Sequence, residues 1–258
     1  MAIILVWLLF LTAILSWPRY ASSAQLTRRA APAEIGWVTL LIPFLCTIFL
    51  FAVLRRYAAS DVRNDEQMIL FYSGLGIVWV YACEFVSRFM GISVILDVVE
   101  RKNPAALWAT TGCMTGTTCC YAGANIGNGP GVAAVLFCAV LSTGTLFLLW
   151  FIIESACAGR LHDSITVERD IATGVRLGAY LLSLGIILGA AVAGDWVSLS
   201  ATITGFVGYS WPSIYLIVPA AIFERPKRSA PVELPGSLLF AGICLASAAG
   251  YVAYRGLQ

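Results

Sequence analysis

The sequence predicts an all-α, polytopic membrane bundle of about seven helices, six to eight, built from degenerate two-helix repeats. Three observations predict it. Of 258 residues, 60% are hydrophobic and only 12% charged, whereas a soluble domain carries about a quarter charged residues. The apolar residues fall in runs of about twenty, and at about 1.5 Å per residue such a run crosses a hydrocarbon core of about 30 Å. Within these runs glycines recur four apart, at Gly112 and Gly116, Gly174 and Gly178, Gly185 and Gly189. In lipid that spacing lets helix backbones approach one another closely.

In chain order, residues 1–24 hold an apolar core, Ile3 to Leu15, followed by small residues at Ser22 and Ala24. The core is short for a span and its tail suits signal-peptidase cleavage, but no Lys or Arg precedes it. The segment is therefore either a removed signal peptide or a retained first helix. Residues 25–34 form a linker, and 35–99 an N-terminal membrane unit. That unit opens with a span at Ile35–Leu54, closed by Arg55-Arg56. A polar loop follows, then an apolar run from Met68 to Val99 interrupted by Glu84 and Arg88. The run is long for one crossing and short for a hairpin of two.

Residues 100–157 read as a helix pair. Its first helix, Ala105–Ala124, is small and hydroxylated, suiting a helix buried among others. A glycine-rich turn, Asn125–Gly131, leads to a strong span at Val132–Cys157 that carries Trp150 and Glu154. Residues 158–225 repeat the plan. The charged head Glu168-Arg169-Asp170 precedes an apolar run to Asp195-Trp196, and Val197–Phe223 is a further span with a kink expected at Trp211-Pro212. Residues 226–258 supply a cytoplasmic loop and a last helix, Ser237–Tyr254. Trp37, Trp108, Trp150 and Trp196 fall near helix ends and read as interfacial anchors.

Basic residues orient the chain. The loops at 100–104, 155–170 and 224–236 carry Lys and Arg and the turns at 124–130 and 194–196 carry none, placing those loops in the cytoplasm. The front is a tie. A single crossing at 68–99 puts 17–34 inside with the first segment retained. A hairpin there puts 55–66 inside and fits a cleaved signal. Either way ten Lys and Arg lie inside and four outside, leaving aside Arg88 and Arg176.

Two segments look like copies. Asn103-Pro-Ala-Ala opens one Gly-spaced helix and Asp170-Ile-Ala-Thr opens the other, each followed by a turn and a helix ending in a glutamate, Glu154 or Glu224. Same-sense duplication of helix pairs is a recognised way to build membrane bundles. Asn64-Asp-Glu-Gln and Glu233-Leu-Pro-Gly-Ser look like weaker copies of the same opening.

Glu168-Arg-Asp-Ile-Ala-Thr-Gly174, the glycine-rich helix after it and Ala193-Gly-Asp-Trp196 resemble the bacterial membrane proteins grouped as "domain of unknown function 350". The resemblance covers residues 158–225. That family consists of repeated two-helix units, each marked by an acidic-Asn-x-Ala-x-Gly opening to its second helix. Here Asp170 stands at the Asn position, while Asn103 keeps the amide. The resemblance implies a multi-pass protein of the bacterial inner membrane and favours the hairpin with a cleaved signal. The family's biochemical role is unknown, so no mechanism comes with it.

Ionisable residues at membrane depth are costly and default to functional candidates. Glu154, near the end of one helix, and Arg176, near the start of the next, lie at similar depth and are expected to form an interhelical ion pair, as a clamp or as part of a polar pathway; the alternative is that Arg176 snorkels to headgroups while Glu154 faces water at the interface. Glu84 and Arg88 are four apart on one helical face, giving a local neutralising pair or a candidate polar site. The turn Gly123–Gly131 invites an anion-binding reading but lacks the Lys and Ser or Thr of a nucleotide loop. Eight cysteines sit in apolar stretches without a C-x-x-C pair and the single histidine is His162, so no metal and no cofactor are expected. No nucleophile-and-base set is present, and no enzymatic activity is expected. A net charge of +2 without a basic stripe gives no nucleic-acid partner. The expected partners are the bilayer and other membrane subunits or a second copy. The leading reading is a non-enzymatic subunit or scaffold of an envelope complex, and the alternative is a small transporter or channel using the buried charges.

Overall fold

A computed structural model describes residues 33–216, 218 and 234–256, which are helical almost throughout, with no strand among them. The elements are α1 (Ala33–Tyr57), α2 (Ser60–Arg63), α3 (Glu66–Phe89), a π-helical segment (Val94–Glu100), α4 (Pro104–Ala124), α5 (Val132–Ala156), α6 (Arg160–Thr166), α7 (Ile171–Val192), α8 (Leu199–Ser210) and α9 (Leu234–Arg255). Four of these, α3, α5, α7 and α9, are long and apolar enough to cross a membrane. These four are found among the described residues, fewer than the seven expected for the whole chain, part of which lies outside them. The expected signal or first helix (1–24), most of the 25–34 linker and the basic stretch Glu224–Arg228 lie outside the described residues.

The centre of the molecule is the pair α4 and α7, which run parallel. Gly174 faces the Ala105 backbone, Gly112 faces Gly178, Gly185 faces Gly116, and Gly123 faces Gly189. At each point a Cβ would collide with backbone atoms of the partner helix, so the glycine spacing read from the sequence is what lets the two helices touch. α1 packs on the other side of α4 in the same sense, since Gly127 N–H donates to the Tyr57 carbonyl (3.3 Å). α9 packs on α7, also parallel, with Arg176 donating to Ser237 near the two N-termini. α3 and α5 return in the opposite direction. Tyr121 of α4, fully buried, donates to the Tyr72 carbonyl of α3 (2.8 Å), and Gly76 makes room for its ring. Residue faces turned away from this centre are greasy, as with Phe44, Leu148, Phe151 and Leu239.

The ambiguous run at 68–99 holds one long helix rather than two. Glu66–Phe89 is a single helix capped by the Asp65 carboxylate on Gln67 N–H (2.8 Å). The chain then turns at Gly91 (φ 87°), and Val94–Glu100 forms a π-helical return at the helix end. The hairpin favoured by the repeat-unit resemblance is therefore not present. For the same reason Asn64-Asp-Glu-Gln does not begin a copy of the α4 and α7 opening: it starts a helix that runs antiparallel to them. At Trp211 the expected break is found, with α8 stopping at Ser210 and residues 212–216 resuming as helix.

The loops define two faces. One, the cap face, carries the N-termini of α4 and α7 with the π-helical segment and α6. The other, the turn face, carries 58–65, 125–131 and 193–198. Trp108 is half exposed, as an anchor should be, and Trp196 packs edge-to-face on Phe137 (5.7 Å). Trp150 departs from expectation: it is 1% exposed and stacked on Phe147. Its position on α5 points it inward rather than toward an interface.

Candidate functional site

The polar chemistry collects at the cap face, where two helices open in the same way. The Asn103 side-chain oxygen accepts from the N–H groups of Ala105 (3.0 Å) and Ala106 (3.3 Å). Asp170 accepts from Ala172 (3.0 Å) and Thr173 (3.2 Å). Each therefore satisfies two of the N–H groups that a helix start leaves unpaired. The chain before each cap matches as well. Asn103 N–H donates to the Asp97 carbonyl and Asp170 N–H to Ser164, while Arg101 donates to Leu96 and Glu168 to Asp163. Lys102 (φ 54°) and Arg169 (φ 58°) both take the left-handed conformation, uncommon for non-glycine residues. Gly91 and Ala158 form a further left-handed pair, as do Gly127 and Gly194. Every one of these pairs is separated by 67 residues, the separation of Asn128 and Asp195.

The two caps differ in one respect. Asn103, completely buried, uses its Nδ2 to donate to the Ile165 carbonyl at the end of α6 (2.6 Å). Asp170 has no donor to offer and instead accepts from the Thr173 hydroxyl (2.6 Å). Thr173 Oγ1 in turn accepts from Arg176 Nη2 (2.7 Å), and Arg176 Nη1 donates to Ser237 of α9. Arg176 is 5% exposed, so this polar chain is enclosed.

The expected Glu154–Arg176 pair is not formed. Glu154 accepts the backbone N–H of His162 (3.1 Å) and so ties the end of α5 to α6. Arg176 lies on the α7 face that meets α9, and equal depth did not bring the two together. Glu84 and Arg88 do pair, at 3.0 Å, with the carboxylate buried and the guanidinium partly exposed. Arg88 also lies over the Phe85 ring. The arrangement is the local neutralising pair, at the end of α3.

Sequence reasoning missed Asp97. It is 2% exposed, accepts the Ser93 N–H (2.8 Å) and pairs with Arg101 at 3.0 Å. The signal was available: Asp97 and Arg101 repeat the four-residue spacing of Glu84 and Arg88. The ring of His162, the single histidine, lies against Gly91, where a Cβ would overlap it, and so closes the gap between α6 and the end of α3.

On the turn face the two glycine turns interlock. Gly194 N–H donates to the Ile126 carbonyl (2.9 Å) and Trp196 N–H to Asn128 (2.7 Å). Asp195 Oδ1 accepts both the backbone N–H (2.7 Å) and Nδ2 (3.0 Å) of Asn128. The amides of residues 125–128 are thereby all engaged, by Ala122, Gly123, Tyr57 and Asp195. Along residues 125–128 no N–H is left open for an anion.

Inside the bundle the hydroxyls serve their own helices. Thr110, Thr111, Thr115, Thr117 and Thr118 donate to carbonyls three or four residues back along α4. Ser142, Thr143 and Ser183 do the same in α5 and α7. None of the eight cysteines is in a disulfide, and no group of three or more metal-ligating side chains occurs among the described residues. No family model, curated protein or solved structure matches the chain.

Proposed function

We propose that this chain is a multi-pass protein of the bacterial inner membrane that serves as a non-enzymatic subunit or scaffold of an envelope complex, and that it belongs with the family it resembles. The observation that carries the reading is the α4–α7 seam, closed backbone to backbone from Ala105 and Gly174 to Gly123 and Gly189. A transporter needs a hydrated midplane site between its repeats. Here the repeat junction is filled by main chain, its hydroxyls are turned back on their own carbonyls, and Glu84, Arg88, Glu154 and Arg176 sit toward helix ends.

Duplication of a helix-pair unit is supported by the matched caps, left-handed residues and hydrogen bonds 67 residues apart. The cap face holds Arg88, Arg101, Lys102, Arg160, Arg169 and Arg176, and the turn face Arg55, Arg56, Arg63 and Arg255. That excess supports a cytoplasmic cap face. The test is reconstitution of the purified protein in liposomes alongside cross-linking in native membranes. Ion and small-solute flux equal to that of empty vesicles, with a reproducible cross-linked membrane partner, is the expected result. Saturable flux would move the protein to the alternative, a small transporter or channel.

A further inference from the structure

The two halves of the molecule carry matching cavities on the turn face. One is lined by positions 124–129, 134, 135 and 138, and the other by 191–196, 201, 202 and 205, the same positions shifted by 67. Each lies between the C-terminal end of a buried helix, its turn and the first turns of the next helix. They differ in volume. The first, roofed by Ala58, Ala59 and Val62 of the preceding loop, has about 50 Å³, and the second, at the end of α7, about 180 Å³.

We infer that the cavity at the C-terminal end of α7 binds a small organic ammonium ion with a compact apolar body. Three properties of its wall select that chemistry. The apolar part is formed by Ala191, Val192, Ala193, Val197 and Ala201. A cavity of about 150 Å³ suffices for a benzene ring, so this one has room for a ring with a short substituent. The charge at its rim is negative. Asp195 uses Oδ1 for Asn128, and Oδ2 has no hydrogen-bond partner among the described residues. The C-terminal end of α7 adds the negative end of a helix dipole, and no Lys, Arg or His lines the space. Trp196 supplies an aromatic wall, the surface that best attracts an organic cation. A divalent metal would find a single carboxylate, Asp195, among the described wall residues, too few for its oxygen ligands.

The probe is benzylammonium, titrated by calorimetry against the full chain in micelles of a neutral maltoside detergent, which carries no ammonium group. Saturable one-site binding is expected, with benzoate not binding and benzyl alcohol at least tenfold weaker. Asp195→Asn keeps the acceptor for Asn128 but removes the charge, and should weaken binding about tenfold or more. Gly205→Leu, which adds a bulky side chain at a wall position within α8, should weaken binding at least tenfold. Asp61→Asn removes a carboxylate from the neighbouring cavity on the same face and should leave affinity unchanged. Absence of saturable binding overturns the inference. So does equal loss in the Asp61 and Asp195 variants, which would mark a diffuse surface charge, or equal affinity for benzyl alcohol, which would mark an apolar cavity only.

Discussion

Asn103 and Asp170 occupy matching places with side chains of nearly equal size, and the single atom that differs has a measurable consequence. Both cap their helices, a role in which Asn and Asp are about equivalent. Only Asn103 also donates, to the Ile165 carbonyl, from a site with no access to water. Asn103→Asp should therefore keep the cap yet lose that bond and place a carboxylate oxygen against a carbonyl oxygen. A loss of about 1–3 kcal/mol is expected. Asp170→Asn keeps one oxygen for the Ala172 and Thr173 N–H groups and gives up only the acceptor for the Thr173 hydroxyl at a partly exposed site, so a smaller loss of about 0.5–1.5 kcal/mol is expected. Thermal unfolding in mild detergent separates the two, and equal shifts would show that the Ile165 contact contributes nothing. Sequence alone marked both residues as helix openings. It could not reveal the Ile165 contact, since that partner is a main-chain carbonyl and leaves no trace in residue identity.

Between elements, the decisive contact is that of α4 with α7. Gly178 is pressed against the main chain at Trp108 and Gly112, so Gly178→Ala must push two helices apart along their length. Overpacking costs about 1–3 kcal/mol in ordinary cores, and a main-chain obstacle cannot rotate away, so the upper end is expected. Gly144→Ala in α5 meets nothing within 4 Å and should be neutral or stabilising by up to about 1 kcal/mol, the helical preference for Ala over Gly. Paired denaturation curves of the two variants test this, and a neutral Gly178→Ala would mean the seam is looser than described. The seam was legible because glycine spacing is a periodic signal that packing chemistry demands. The partners of the charged residues were not. Depth along a helix can be counted from a sequence, but the face a side chain takes depends on which neighbour arrives there. Arg176 met α9 at Ser237 rather than α5 at Glu154 for that reason.

Across the whole molecule, the same reasoning gives the proposed membrane topology its testable form. Charge counting tied because moving three arginines from one face to the other is compensated by three more in the preceding linker. Packing breaks the tie. Tyr57, at the end of α1, bonds to Gly127 in the turn after α4, which fixes the 58–65 loop on the turn face. From there α3 must cross to reach the π-helical segment, since Asn103 follows directly and caps α4 beside Ile165. The 67-residue relation gives an independent constraint: Gly194 bonds to Ile126 as Gly127 bonds to Tyr57, so successive parallel helices join at the same face each time. Alkaline phosphatase, active only outside the cytoplasm, fused after Asp61, Asn128 or Trp196 should be active, and fused after Lys102 or Arg169 inactive. Equal activity after Asp61 and Lys102 would require a second crossing between them, and with it the hairpin that the packing of α3 against α4 leaves no length to build.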